Sequence, residues 1–233
     1  MRTFAILNMK GGVGKTTTAI NLAYLLATAH RQRVLLIDAD AQANATRTLL
    51  LDGDYDGLAA LLESKVICYD EAIEHTEIPN LDMVPASSEL RNIDLGLVTR
   101  EGTAALRAIR DLRDNVAEDD AYDVIVIDCP PGFTAACVAA ILASNSLIIP
   151  VLPDAFSAEG MDDLVEQIDG VRKLQPDIRV AGCLVTQWHN ADVVLDATDY
   201  LRTDGPIPVF DTVIRRTDKV LESTWAKQPV LMW

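Results

Sequence analysis

The chain is organised around the stretch Asn8-Met9-Lys10-Gly11-Gly12-Val13-Gly14-Lys15-Thr16-Thr17. An apolar run over residues 3–7 precedes it, and an amphipathic run over residues 16–28 follows it. A strand, a glycine-rich loop and a helix in this order are the context of a phosphate-binding loop. The glycines within residues 11–14 let backbone N–H groups turn toward a polyphosphate, and the positive end of the following helix faces the same anion. The stretch therefore predicts a nucleotide site.

Two side chains complete this predicted site. The Lys15 ammonium is expected to reach the β- and γ-phosphates, and the Thr16 hydroxyl is expected to ligate Mg²⁺. The general pattern G-x-x-x-x-G-K-[ST] is not met strictly, because Met9 stands at its first glycine. A second lysine, Lys10, also stands at the entrance of the loop. A glycine-rich turn with incidental lysines is the alternative interpretation, and the flanking strand and helix patterns disfavour it.

The composition indicates one α/β domain spanning residues 1–233. Hydrophobic residues make up 49% of the chain and aromatic residues only 5%, and such an aliphatic core suits helices packed on both faces of a parallel sheet. The formal net charge is −15, whereas domains dedicated to DNA are usually basic. Any contact with nucleic acid is therefore expected to be a local basic patch acting against an unfavourable overall field.

Neither a disulfide framework nor a membrane span is indicated. The four cysteines are scattered without a C-x-x-C pair, which favours reduced thiols and gives no zinc pattern. The most apolar region, residues 135–152, is interrupted by polar residues and by Pro150, so it predicts a helix, a turn and a buried strand. The N-terminus enters its first strand without a signal-peptide pattern. These features predict a cytoplasmic protein.

Aspartates close two further apolar runs. The run 34–37 is followed by Asp38 and Asp40, and the run 122–127 is followed by Asp128. Carboxylates at the C-terminal ends of parallel strands, beside a phosphate loop, are well placed for a metal ion or for water. Asp128 is expected to hold Mg²⁺ directly or through water, and the prolines after it fix a loop that senses the γ-phosphate. An acidic turn without chemistry is the alternative interpretation of Asp38 and Asp40.

These motifs, in this order, resemble those of the ParA/MinD family of deviant Walker A ATPases, and small stand-alone, Soj-like ParA proteins most of all. In that family the extra lysine of the loop contacts nucleotide bound by a partner subunit, and this role falls on Lys10 here. Residues 38–46 resemble the family element D-x-D-P-Q-x-N-x-T, with Ala41 in the place of the proline. The resemblance implies that Asp40 orients the attacking water and that Asp38 supports the Mg²⁺ hydration shell.

The resemblance thus implies three sets of site residues. The catalytic set is Lys10, Lys15 and Asp40. The nucleotide-binding set is Lys10, Gly11, Gly12, Val13, Gly14, Lys15, Thr16 and Thr17. The metal set is Thr16, Asp38 and Asp128.

A late basic segment is the candidate DNA contact. Residues 213–222 resemble the family segment I-P-R-N-x-x-x-x-E, with Arg215 in the place of the proline and Arg216 on the arginine. The resemblance implies non-specific DNA binding by a patch of Arg215, Arg216 and Lys219. A second arginine stripe, within residues 107–113, is interleaved with aspartates, so a solvated and salt-bridged helix face is the favoured interpretation there.

The resemblance also implies a fold and an activity. The expected fold is a three-layer, doubly wound, mostly parallel sheet with helices on both faces, the P-loop NTPase fold. The expected activity is that of an ATPase for partitioning plasmid, phage or chromosomal DNA, using ATP and Mg²⁺, with slow turnover that a partner stimulates. A homodimer in the ATP-bound state, a ParB-like centromere-binding partner, non-specific DNA at the nucleoid and no membrane contact are expected. A C-terminal helix is expected beyond Trp233.

Two other functions stay open from the sequence. One is a ParA-like ATPase that positions a protein complex or conjugation machinery. The other is a low-turnover, nucleotide-gated adaptor.

Periodicity and turn residues predict further elements along the chain. Helices are expected at 58–62, at 87–95 with a cap at Ser87, at 103–113 and at 157–174. Strands are expected at 80–85, 146–152, 180–186 and 206–212. Residues 187–190 are expected to leave the sheet as a loop on the adenine side of the site, by the same resemblance.

Overall fold

The computed structural model describes residues 1–50, 53–55, 57–63, 65, 68–97 and 104–232. Within these residues the chain forms eight strands: β1 Arg2–Ile6, β2 Val34–Asp38, β3 Glu74–His75, β4 Leu81–Val84, β5 Val124–Asp128, β6 Ser146–Val151, β7 Arg179–Trp188 and β8 Val209–Arg215. Over the same residues it forms nine α-helices: α1 Lys15–Thr28, α2 Asn44–Leu49, α3 Gly57–Leu62, α4 Leu90–Leu97, α5 Ala104–Glu118, α6 Ala135–Ala143, α7 Ala155–Arg172, α8 Asp192–Thr203 and α9 Lys219–Ala226. Short 3-10 turns lie at Tyr69–Ala72 and Val230–Met232.

The strands form one sheet in the order β3-β4-β2-β5-β1-β6-β7-β8. The described strands pair in parallel, except that β3 is antiparallel to β4. β1 lies between β5 and β6, so the chain builds one side of the sheet before it crosses to the other. The loop after β1 lies where the winding direction changes, which is where doubly wound sheets bind ligands. The predicted doubly wound, mostly parallel fold is confirmed.

The sheet is buried on both faces because its central strands are continuous aliphatic runs. All five residues of β2 and all five of β5 are buried. Alternate residues of β2 face opposite layers: Val34 and Leu36 pack in one apolar cluster, and Leu35 and Ile37 pack in the other. Burial of each such side chain contributes on the order of 1.5–3 kcal/mol. The strands that carry the site residues are therefore firmly held.

Helices cover both faces and complete the three layers. α1 buries Ala19, Ile20 and Ala23 in the cluster that contains Val34. α5 buries Ile109 in the cluster on the opposite face. The small alanines let α1 lie close to the strands, which brings its N-terminus directly behind the loop that follows β1.

Most predicted elements are present, with shifted ends. The helix predicted at 58–62 is α3, the strand predicted at 80–85 is β4, and the strand predicted at 146–152 is β6. The helix predicted at 157–174 is α7, which begins two residues earlier. The helix predicted at 103–113 is α5 and extends to Glu118, while its predicted first residue, Thr103, lies outside the described residues, as does Trp233.

The predicted cap of α4 is wrong. The helix begins at Leu90, three residues beyond Ser87. The Ser87 hydroxyl is buried and has no hydrogen-bond partner among the described residues. The turn before the helix is closed instead by backbone, because the Ser87 carbonyl accepts from the Leu90 N–H at 3.3 Å.

Two strand boundaries also differ from the prediction. Gln187 and Trp188 still belong to β7, so the observed loop begins two residues later than the predicted loop at 187–190. β8 begins at Val209 rather than at residue 206, because the prolines at 206 and 208 lack the N–H that a sheet ladder requires. β8 also ends later than predicted, at Arg215 rather than at residue 212, so Arg215 belongs to the strand.

Three other sequence features can be compared with the structure. Arg113 pairs with Asp114 at 2.6 Å, in agreement with a salt-bridged face on α5. The four cysteines, all within the described residues, are free thiols. Among the described residues, no helix combines the length and the apolar character needed to cross a membrane.

Candidate active site

The loop between β1 and α1 has a backbone conformation that depends on its glycines. Gly12 has φ +73° and Gly14 has φ +85°, a left-handed conformation in which a side chain is strained. No described atom lies within 4 Å of a Cβ built on Gly12, so the requirement there is conformational rather than spatial. Lys15 begins α1, whose first turn carries no acidic residue. A helix N-terminus without a competing carboxylate therefore faces the loop, which suits an anion.

Asn8 holds the entrance of the loop. Its Nδ2 donates to the Pro150 carbonyl of β6 at 2.8 Å, and its Oδ1 accepts from the Lys10 N–H at 2.9 Å. The loop is thus tied to the neighbouring strand as well as to the end of β1.

The end of β7 holds the middle of the loop. The Thr186 hydroxyl donates to the Val13 carbonyl at 2.8 Å, and Gln187 Nε2 donates to the Gly12 carbonyl at 3.0 Å. Both contacts occupy loop carbonyls, so the loop N–H groups are left to face the opposite side. Gln187 reaches this position with φ +53°, a strained conformation for a residue with a side chain. Such strain at a cleft is common where a site is built.

Lys15 lies inside the loop. Its side chain is almost buried, and its Nζ donates to the Lys10 carbonyl at 3.0 Å. Burial lowers the pKa of Lys15, and the negative charges of Asp128 and Asp40 partly offset that effect. An ammonium held in this way gains stabilisation from an anion brought into the loop.

Asp38 and Asp128 stand side by side at the ends of β2 and β5. They are register partners, and both are fully buried. Burial, followed by the charge of Asp38, raises the pKa of Asp128 well above its usual range. Burial likewise raises the pKa of Asp38. Two adjacent carboxylates in an apolar surrounding are costly when ionised, unless a cation lies beside them.

Hydrogen bonding distinguishes these two carboxylates. Asp38 Oδ2 accepts from the Thr46 N–H at 2.9 Å and from the Thr46 hydroxyl at 2.8 Å, and its Oδ1 accepts from the Asp40 N–H at 3.1 Å. Asp128 has Thr16 beside it, which lowers its pKa, but neither of its oxygens accepts a regular hydrogen bond from the described residues. Asp38 therefore anchors the chain after β2, while Asp128 keeps its oxygens for another partner.

The residues present fit a magnesium ion. The two buried Asp128 oxygens lack partners among the described residues, and the Thr16 hydroxyl lines the adjoining cleft. Mg²⁺ prefers oxygen ligands and usually takes one or two from a protein, with water and phosphate completing its shell. In agreement with this sparse set, the described residues contain no cluster of three or more His, Cys, Asp or Glu side chains able to hold a metal ion.

Asp40 lies on a short loop between β2 and α2 that faces the same cleft. Its Oδ1 accepts from the Gln42 N–H at 2.9 Å, and its carbonyl accepts from the Ala43 N–H at 2.8 Å. Ala43 precedes α2 with φ +53°, a tight turn that brings the chain back toward Asp38. Asp40 is therefore a hydrogen-bonded carboxylate at the edge of the cleft.

The cleft itself has a volume of about 520 Å³. Ligand pockets commonly measure about 300–1,000 Å³. Its floor is the loop from Gly11 to Thr18 together with Asp40, and Pro131 lies on its wall. The opposite wall comes from the ends of β7 and β8 and from the start of α9. The structure thus brings the predicted loop, Lys15, Thr16 and Asp40 to one cleft, with Asp128 buried beneath it.

The late basic segment also forms part of this cleft. Arg215 and Arg216 line its wall, and the Arg215 guanidinium lies 5.7 Å from the centre of the Trp188 ring. Lys219 pairs with Glu222 at 2.6 Å on the exposed side of α9. The sequence prediction assigned these three basic residues to a DNA contact, and the structure adds that Arg215 and Arg216 border the cleft directly.

Lys10 is engaged within its own chain. Its Nζ lies 2.8 Å from Asp154 Oδ2 and 3.1 Å from Asp154 Oδ1. Both side chains are 37% exposed. The predicted partner-contacting lysine therefore lies at the surface beside the cleft, paired with an acid that follows β6.

Sequence reasoning missed the residues that hold the site together. Thr186 carried no signal, and the resemblance placed Gln187 near the site without its contact to the loop, because the two residues lie 173 and 175 residues along the chain from the carbonyls they bind. Asp154 is 144 residues from Lys10. Thr46 was visible as the last residue of the aspartate element, but its partner was not.

The chain is similar to several known proteins. A family model described as an AAA domain matches residues 1–180. The chromosome partitioning protein ParA of Caulobacter vibrioides is 36% identical over 244 residues, covering 100% of this chain and 87% of that protein. The sporulation initiation inhibitor protein Soj of Bacillus subtilis is 34% identical, covering 100% of this chain and 91% of that protein.

A solved structure agrees with the fold. Cobyrinic acid a,c-diamide synthase from Mycobacterium smegmatis, with a bound ATP analogue and magnesium, superposes with a TM-score of 0.84 at 27% identity. The match covers 94% of this chain and 86% of that one.

Proposed function

The chain belongs to the ParA/MinD family of deviant Walker A ATPases, with Soj-like ParA proteins among its relatives, and from that premise we propose that it is a DNA-partitioning ATPase. In this proposal it hydrolyses ATP to ADP and phosphate and changes its assembly state with the bound nucleotide. The observation that carries the proposal is the pairing of a glycine-rich anion loop with a buried carboxylate, Asp128, which has Thr16 beside it and whose two oxygens accept no regular hydrogen bond from the described residues.

ATP is bound by the loop from Gly11 to Thr17. The backbone N–H groups and the N-terminus of α1 hold the phosphates, and Lys15 turns from the Lys10 carbonyl toward the β- and γ-phosphates. Thr16 and Asp128 would hold Mg²⁺, and that ion would supply positive charge against the phosphates. Asp38 contributes indirectly, because its oxygens already hold Thr46 and Asp40.

Hydrolysis depends mainly on positioning and charge. Asp40 orients the attacking water from the rim of the cleft. Lys10 stabilises charge on nucleotide bound by a second copy of the chain, so a full set of cations exists only in a homodimer. Turnover is slow in this scheme and rises when a ParB-like adaptor binds.

DNA binding would follow the nucleotide state. Arg215 and Arg216 lie on the wall of the cleft, so nucleotide there contacts the same segment that would meet DNA phosphates. Dimerisation doubles the number of basic residues that one DNA segment can meet, including Lys219, while the net charge of −15 per chain doubles with it, so the DNA contact is a local one. Location in the cytoplasm, at the nucleoid, belongs to the same proposal.

The test is DNA binding with ATP or ADP over a range of salt concentrations, measured by fluorescence anisotropy on a duplex of arbitrary sequence. We expect binding with ATP only, falling steeply with salt as phosphate contacts are screened. Arg216→Ala should weaken it, whereas Arg179→Ala, an exposed arginine at the amino end of β7, is the matched control and should not.

One observation favours a second candidate. The net charge of −15 suits an ATPase that positions a protein cargo rather than DNA. ATP-dependent dimerisation without salt-sensitive DNA binding would move the assignment to that function. The same ATPase chemistry would then serve a different partner.

A further inference from the structure

The contact between Lys10 and Asp154 has a role that the proposed function leaves open. One ammonium faces both oxygens of one carboxylate, at 2.8 and 3.1 Å. In the proposed function this ammonium must reach nucleotide on another subunit. It cannot do so while it keeps both contacts, so assembly requires the ion pair to break.

The two residues are held at a fixed separation by neighbouring strands. Lys10 follows β1, and its N–H is held by Asn8, which is tied to Pro150 of β6. Asp154 follows β6, and its N–H donates to the Leu152 carbonyl at 2.9 Å. Because β1 and β6 are paired in parallel, both loops leave the same edge of the sheet. The fold therefore fixes the backbone positions of Lys10 and Asp154 next to each other, and the ion pair follows from those positions.

Nucleotide binding bears directly on this pair. Lys15 Nζ donates to the Lys10 carbonyl at 3.0 Å. When Lys15 turns to phosphate, that hydrogen bond is lost, while the contact of the Lys10 N–H with Asn8 is kept. The remaining hold on the Lys10 side chain includes the Asp154 carboxylate.

We propose that Asp154 is a positioning residue for Lys10. It keeps the lysine on its own subunit until ATP is bound and thereby sets the ATP concentration at which two chains assemble. This inference rests on the proposed function, because it presumes that Lys10 acts across the dimer.

A purely structural role for Asp154 is the competing explanation. Asp154 stands directly before Ala155, the first residue of α7, and aspartate at such a position stabilises a helix N-terminus. Asparagine caps a helix about as well as aspartate but carries no charge. Asp154→Asn therefore removes the counter-ion and keeps the capping capacity.

The size of the effect follows from exposure. Both side chains are 37% exposed, so the pair is partly screened by water. A pair of this kind shifts an equilibrium by about 1.4- to 5-fold. Each dimer breaks one pair per chain, so Asp154→Asn should raise the dimerisation constant by about 2- to 30-fold.

The experiment compares the full chain with three variants by sedimentation equilibrium, in Mg²⁺ and a non-hydrolysable ATP analogue. The variants are Asp154→Asn, Lys10→Ala and the control Asp169→Asn. Asp169 lies on the same helix and pairs with Arg172 at 2.6 Å, so its variant loses the same charge and a similar exposed ion pair away from Lys10. Urea unfolding of each nucleotide-free variant checks that stability is retained.

The inference is supported if Asp154→Asn dimerises at a lower analogue concentration, Asp169→Asn matches the parent, and Lys10→Ala fails to dimerise. It is overturned alone if Lys10→Ala fails to dimerise while Asp154→Asn dimerises no better than the parent, or worse. If Lys10→Ala dimerises like the parent, the cross-subunit role in the proposed function fails, and this inference fails with it. A shared gain in Asp154→Asn and Asp169→Asn would assign the effect to net charge and overturn the inference.

Discussion

Thr46 ties the loop that carries Asp40 to the protein core, and replacing the Thr46 hydroxyl tests that role. The hydroxyl donates to Asp38 Oδ2 at 2.8 Å and accepts from the Ala86 N–H at 2.9 Å. Thr46 is 5% exposed and Asp38 is fully buried, so water does not readily replace either contact. Thr46→Val keeps the shape of the side chain and removes both hydrogen bonds.

The magnitude follows from the two contacts. A hydrogen bond to a charged group contributes about 1.5–3 kcal/mol, and a buried N–H left without a partner costs about 1–3 kcal/mol. The Thr46 N–H still donates to Asp38, which limits the damage. We expect Thr46→Val to lose roughly 2–5 kcal/mol of unfolding free energy. Thr46→Ser keeps the hydroxyl and should lose only about 1 kcal/mol, for one buried methyl group.

The assay is urea unfolding of the nucleotide-free protein, followed by steady-state ATPase measurement under conditions where both variants are folded. The turnover number of Thr46→Val should fall below that of Thr46→Ser, because the loop carrying Asp40 loses its anchor. If the two variants differ by less than about 0.5 kcal/mol, a difference within the scatter of surface substitutions, the hydroxyl does not hold Asp38 in place. Equal turnover would separate Thr46 from the position of Asp40.

Three further predictions concern the carboxylates. Asp128→Asn should stabilise the nucleotide-free protein by on the order of 1–2 kcal/mol in thermal unfolding, because it removes a buried charge beside Asp38, and should abolish turnover. The raised pKa values fix how the stability of the parent chain depends on pH. The native state takes up protons that the unfolded state does not, so the free energy of unfolding should rise as the pH falls from about 8 toward 5. This added stability should be lost as the pH rises through the native pKa of Asp38, about 6. A flat pH profile between these limits, or an Asp128→Asn variant less stable than the parent, would contradict this account. Asp40→Ala should bind a fluorescent ATP analogue with affinity within about threefold of the parent, since within the described residues the Asp40 side chain bonds to the Gln42 N–H and not to the backbone of the loop from Gly11 to Thr17. It should lose most turnover and leave a persistent dimer, and unchanged turnover would remove Asp40 from the hydrolytic step.

Local sequence was enough for the parts of the site that depend on neighbouring residues. The glycines of the loop, the helix after it and the aliphatic runs closed by Asp38 and Asp128 are local patterns, and the structure has all of them. Local patterns failed where two local options compete. Ser87 resembles a helix cap, yet backbone carbonyls close that turn and the helix begins later.

The contacts between the residues of the site depend on the order of the strands. Pairing of β1 with β5 and β6 brings Asp128 under the loop and Asp154 beside Lys10. The placement of β7 next to β6 brings Gln187 onto the loop carbonyls, and β8 beyond it carries Arg215 to the cleft wall. These contacts join residues more than 110 positions apart, and no local pattern encodes such a distance. The motifs of the sequence predict a nucleotide site. The order of the strands decides which charges surround that site, because only packing brings distant carboxylates and ammonium groups close together.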